Sequence, residues 1–169
     1  MNYPGQRASS VHLAGLLRTG FAGVALGIAR ASLDVFVDLA RNKVPRGMRS
    51  PIRDNAVVQS GVAQAEVRLH AARAFMLQSV QQIWKEVEQP RGVLTLEHRM
   101  TLRMASTQPI HSAGDAVDSA YNAAGTRAIF ESHPLERRFG DIHTVAQHPR
   151  DDCRISRPSA LACWAASPI

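Results

Sequence analysis

The sequence predicts an all-α fold, an antiparallel up-down bundle of four helices followed by an irregular C-terminal tail, and three observations carry that expectation. Apolar residues recur at three- and four-residue spacing over long segments, the period of one helix face. Aromatic residues make up only 5% of the chain, whereas Ala, Val, Leu and Arg recur throughout, which favours close-packed helices over a strand-built sandwich or barrel. Pro and Gly gather where the periodic segments stop. With 169 residues, 45% of them apolar, the chain has material for one core and one main domain.

The first helix is predicted over residues 11–41, where Leu13, Leu17, Phe21, Val24, Ile28, Leu33, Phe36 and Val37 repeat at three- to five-residue spacing. Residues 1–10 read as an N-terminal extension. Gly15, Gly20, Gly23 and Gly27 stand inside the helix, each costing up to about 1 kcal/mol relative to Ala. Such density implies either a second backbone approaching this face or local fraying.

Pro45, Gly47 and Pro51 break the pattern, and Asp54 is placed to cap a second helix running to Gln89. Val58, Val62, Ala65, Leu69, Ala72, Met76, Val80, Ile83 and Val87 form its stripe, the strongest periodic signal in the chain. Spacing that alternates three and four is the seam of a bundle helix. Trp84 is expected to bury its ring beside that seam.

Pro90 and Gly92 mark the next turn, after which Thr95 can cap a third helix. Its small face holds Leu102, Ala105, Ala113, Ala116, Val117, Ala120 and Ala124, and Gly125 ends it. Pro109 removes a backbone donor inside this segment, so a kink or a break into two pieces is expected. Ser132 or His133, followed by Pro134 at the first helical position, opens a fourth helix carrying Leu135, Phe139, Ile142 and Val145 and ending near His148. Past Pro149 the apolar residues lose their period, so 149–169 reads as a disordered or frameshifted tail.

A formal charge of +6 and a pI near 10.3 invite a nucleic-acid or anionic-membrane partner. The distribution argues against both. Basic and acidic residues alternate, and the densest basic stretch, with Arg41, Lys43, Arg46, Arg49 and Arg53, surrounds two prolines and reads as a solvated interhelical loop. Arg18, Arg30, Asp34 and Asp38 interrupt the most apolar stretch, so no unbroken apolar run of about 18 residues exists to span a bilayer. Cys153 and Cys163 stand close to the C-terminus and no signal peptide opens the chain, which makes a reduced cytoplasmic protein the expectation.

Three stretches carry a resemblance. The first runs Arg53-Asp54-Asn55-Ala56-Val57-Val58-Gln59 into Ala63-Gln64-Ala65-Glu66-Val67-Arg68-Leu69 and Ala71-Ala72-Arg73-Ala74-Phe75. The second is Tyr121-Asn122-Ala123-Ala124-Gly125-Thr126-Arg127-Ala128-Ile129-Phe130. The third is Pro134-Leu135-Glu136-Arg137-Arg138-Phe139-Gly140-Asp141-Ile142-His143, continuing to Gln147-His148. In order and spacing they resemble the C-terminal helical domain of the acyl-CoA dehydrogenase superfamily, in the branch of two-component flavin-dependent monooxygenases (oxygenase components), over residues 11–148.

The resemblance implies a flavin, FAD or FMN, held between an N-terminal helical domain, a β-domain and this bundle in a homo-tetramer, with a flavin reductase as partner. The two other domains are absent from this sequence, so a truncated or frameshifted gene product, inactive alone, is expected. Two departures accompany it: Gly140 stands where the family usually has an arginine, and the family pattern stops after His148.

By the same resemblance His148 occupies the position of an active-site histidine in the monooxygenases, near the slot of a catalytic carboxylate in acyl-CoA dehydrogenases. A histidine can exchange protons with a phenolic substrate or a flavin oxygen adduct near neutral pH, whereas abstraction alpha to a thioester calls for a carboxylate. Taken without the family, His148 is a helix-end histidine favoured by the dipole. Gly125 is by itself a helix stop and Thr126 a hydroxyl donor; the resemblance makes both cofactor-binding. His143 lies five residues before His148, about 140° around a helix, so the two do not form a metal site. Alternative readings are a non-catalytic oligomerisation or interaction module, an acyl-CoA dehydrogenase proper, and a basic helical nucleic-acid binder.

Overall fold

In this computed structural model the backbone is described for residues 4–89 and 92–147, and side chains for residues 18–89 and 92–147. Among them are four helices and no strand: α1 (Pro4–Asn42), α2 (Ala56–Val87), α3 (Leu96–Ala124) and α4 (Pro134–Ala146). Short 3-10 turns at Ile52–Asp54 and Gly125–Arg127 precede α2 and follow α3. The tail and His148 lie outside the described residues.

The hub is α3, which packs on α1, α2 and α4, while α1 and α2 scarcely touch. Small residues make this possible. Ala22, Ala25 and Ala29 of α1 and Ala105, Ala113, Ala116, Ala120 and Ala124 of α3 are nearly or fully buried, so the helices approach closely around Leu33, Phe36, Ile110 and Val117. Burying each of those larger side chains contributes about 1.5–3 kcal/mol. Buried hydroxyls in this layer bond to their own helices: Ser32 Oγ donates to the Ile28 carbonyl at 2.8 Å and Ser106 Oγ to the Leu102 carbonyl at 2.9 Å.

Every member of the α2 stripe is buried or half-buried, as is the small face of α3. Thr95 caps α3, His133 with Pro134 opens α4, and Gly125 closes α3 at φ 61°. Other expectations fail. The cap of α2 is Asn55, whose side chain accepts from the Val57 and Val58 amides, because Asp54 is consumed in the preceding 3-10 turn. Trp84 is 57% exposed: one residue past Ile83 places it about 100° off the seam. Of the kink or break expected at Pro109, the break does not occur: α3 continues through the buried proline, and packing against neighbouring helices outweighs the roughly 3 kcal/mol an interior proline costs.

Gly20, Gly23 and Gly27 of α1 face open space. A Cβ added at Gly20, Gly23 or Gly27 would meet nothing within 4 Å, so the close approach uses the alanine face instead. Helix α1 also starts earlier than expected, at Pro4. Its segment Arg18–Asn42, with mean hydropathy 1.5, is long and apolar enough to cross a membrane despite its charges, because a window average tolerates what an unbroken run does not. In the bundle 33% of that apolar window is buried, and the buried face, with Ala22, Ala25, Ala29, Leu33 and Phe36, belongs to the core.

Candidate functional site

At one end of the bundle the chain crosses from α1 to α2 and from α3 to α4, and Lys43 binds these crossings together. Its amide donates to the Leu39 carbonyl at 2.9 Å, its carbonyl accepts from the Ile52 amide at 2.9 Å, and its ammonium donates to the Ala124 carbonyl at 2.6 Å. A lysine on the final carbonyls of a helix complements the negative end of the dipole. It also leaves a cation against the glycine turn: a Cβ placed on Gly125 would lie 3.9 Å from Lys43 Nζ. Space does not require glycine here; the φ of 61° with ψ of −149° does.

A cleft of about 470 Å³ opens at this end. Gly125 and Thr126 line it together with Lys43, Arg46, Ser50 and the α2 cap Asn55. No lining residue carries a carboxylate, and the lining side chains that can donate are Lys43, Arg46, Ser50, Asn55 and Thr126, beside apolar Met48, Ile52 and Val58. Such a set is chemically suited to an anion. A second, apolar trough of about 380 Å³, walled by Leu33, Phe36, Val57 and Val62, meets the first at Val58 and Ala123.

Sequence reasoning assigned Gly125 and Thr126 to this function but left Lys43 and Arg46 in a solvated loop. The Lys43–Ala124 bond joins residues 81 positions apart, and no local pattern announces it.

On the α4 side Tyr121 stacks on Phe139, centroids 4.3 Å apart, and Phe139 meets the edge of His143 at 4.5 Å. His143 Nε2 lies 3.0 Å from Asp118 Oδ1, tying α4 to α3, and Arg138 donates to the Ala31 carbonyl of α1 at 3.2 Å. The last turn of α4 thus has fixed partners up to Gln147, whose amide donates to the His143 carbonyl at 3.2 Å. Among the described residues no group of three or more His, Cys, Asp or Glu could hold a metal ion.

Fold and cleft together define a class, an all-helical bundle domain with a cleft at one end whose lining includes Lys43 and Arg46. Residues 19–150 match the acyl-CoA dehydrogenase C-terminal domain family, and the chain belongs to that family. It is 33% identical over 125 residues to indole-3-acetate monooxygenase of Pseudomonas putida, an overlap of 74% of this chain and 32% of that protein. To the oxygenase component of p-hydroxyphenylacetate 3-hydroxylase from Acinetobacter baumannii it is 25% identical, over 79% of this chain and 32% of the relative. The fold is shared with XiaF from a Streptomyces species, solved in complex with FADH2 and glycerol: TM-score 0.77, 18% identity, 92% of this chain and 40% of that one. The chain therefore spans about a third of the length of the curated relatives it matches.

Proposed function

We propose that this bundle is the flavin-facing C-terminal wall of a reduced-flavin-dependent monooxygenase, the oxygenase half of a two-component system served by a separate flavin reductase. The observation that carries the reading is the meeting of the Gly125–Thr126 turn with Lys43 and Arg46 in one carboxylate-free cleft. Lys43, Arg46 and Thr126 hold the phosphate-bearing part of the cofactor, FAD or FMN, and bound flavin supplies the redox chemistry. His148, two residues past the end of α4, exchanges a proton with substrate; a histidine there suits an aromatic or phenolic substrate better than an acyl thioester. Relatives named as monooxygenases and hydroxylase components support this choice.

The bundle offers only one wall, and the remaining contacts belong to regions that the relatives have and this chain does not span. Each lost hydrogen bond costs on the order of 1 kcal/mol, which leaves the chain alone with about millimolar affinity or weaker and no turnover. Titration of oxidised and reduced FAD and FMN by calorimetry tests this, run on the chain and on a chimera carrying the N-terminal regions of the Pseudomonas putida relative. Binding should return in the chimera, with His148→Ala lowering turnover and sparing flavin affinity. Micromolar binding by the chain alone, or a chimera that never binds flavin, sinks the reading.

A further inference from the structure

The α2–α3 hairpin lies away from the cleft and carries an arrangement the proposed function does not use. Thr95 Oγ1 accepts from the His98 amide at 3.2 Å, and the Thr95 amide donates back to His98 Nδ1 at 3.3 Å. The other ring nitrogen, Nε2, faces Glu86 Oε2 of α2 at 2.8 Å, while Gln82 Nε2 donates to Glu86 Oε1 at 3.1 Å. The His98 side chain is 16% exposed, so its ring has little access to water as an alternative partner. A capping box ordinarily places Glu or Gln at this third position, where the acceptor stays an acceptor at neutral pH. Here it is a histidine, whose Nδ1 accepts only while it carries no proton.

We propose that His98 is a proton-operated latch on this hairpin. Nδ1 can accept the Thr95 N–H only while bare, and the neutral ring must then carry its hydrogen on Nε2, where a carboxylate accepts it. One tautomer satisfies both contacts. An added proton has only Nδ1 to occupy, which turns the acceptor facing the Thr95 N–H into a second donor and breaks that bond. The Nε2–H bond to Glu86 meanwhile becomes a full ion pair and persists. Protonation therefore trades half of the α3 cap for a tighter tie to α2.

The charged group placed against the ring is Glu86. Glu97 and Arg99 on the first turn of α3, and Lys85 and Glu88 on α2, are exposed. Arg91 in the turn, and the side chains of Arg7 and His12 on α1, lie outside the described residues.

The test is imidazole 15N and backbone amide NMR on the whole chain, from about pH 8 down to about pH 5, across the range where histidine titrates. At the upper end His98 should show a bare Nδ1 and a protonated Nε2. As the ring titrates, the Thr95 amide proton should move upfield in step with it, and its exchange protection should fall about fivefold, the weight of one ordinary hydrogen bond. His98→Gln keeps a carbonyl acceptor that does not titrate, so its Thr95 signal should stay fixed across the same range. A protonated Nδ1 at the upper end, or a Thr95 amide indifferent to the His98 titration, overturns the latch; the tautomer measurement needs no variant to fold.

Discussion

Gly125 is held at φ 61° and ψ −149°, a region that residues with a Cβ enter only under strain of about 1–3 kcal/mol. Gly125→Ala should therefore lower the urea midpoint by that much stability with an unchanged slope, although the added methyl meets only Lys43 Nζ at 3.9 Å. An unshifted midpoint would mean that the turn relaxes freely. Glu86 carries a pH dependence of its own. Hydrogen bonds from Gln82 first and His98 second hold its carboxyl below the usual 4.5. A depressed carboxyl stabilises the fold above its unfolded value, and the contribution disappears as pH falls through the folded value. Glu86→Gln should accordingly leave stability near neutrality lower and its decline below about pH 4.5 shallower, read from melting temperature against pH. At this scale the sequence reveals the residues whose partners are local, such as Thr95 and Gly125. Lys43 escapes it, because an ammonium on a carbonyl 81 residues away is settled by packing.

Helix boundaries and faces follow from periodicity wherever one face alone is apolar, as in α2, where the alternating three-four stripe coincides with the buried positions. Helix α1 follows that reading less cleanly. Leu33 and Phe36 of its stripe are buried and Phe21, Ile28 and Val37 half-buried, but Val24 is 54% exposed and the buried alanines Ala22, Ala25 and Ala29 stand outside the stripe. Alanine and glycine are equally small to a pattern search, but only alanine buries a side chain against α3. The exposed glycines are then a removable cost: Gly23→Ala and Gly27→Ala each add a Cβ into open space and each should raise stability by about 0.5–1 kcal/mol. Denaturant unfolding of the single and double variants decides it. A loss of stability would mean that another surface covers this face, the close approach that the glycine spacing first suggested.

Across the whole molecule, the weak α1–α2 contact is bridged by one cation. Arg30 binds both oxygens of Glu66, at 2.6 and 2.5 Å, and Asp34 at 2.8 Å, and Glu66 first among these holds the guanidinium charged. The bridge consumes basic charge in mid-bundle, whereas Lys43 and Arg46 at the cleft face no carboxylate among the lining residues. Net charge of +6 therefore says less about partners than the placement of these two residues does. If they serve the phosphates of a flavin, affinity should depend on how many phosphates the ligand carries. In the chimera that restores the remaining regions, Arg46→Gln should weaken FAD and FMN about tenfold, the loss of one charge-assisted contact, and leave riboflavin unchanged. Raising the salt concentration should erode FAD binding in the parent more than in the variant. Equal weakening of all three ligands would place Arg46 against the ring system or in the folding of the loop, and the phosphate assignment of this cleft would then fall while the bundle itself stood.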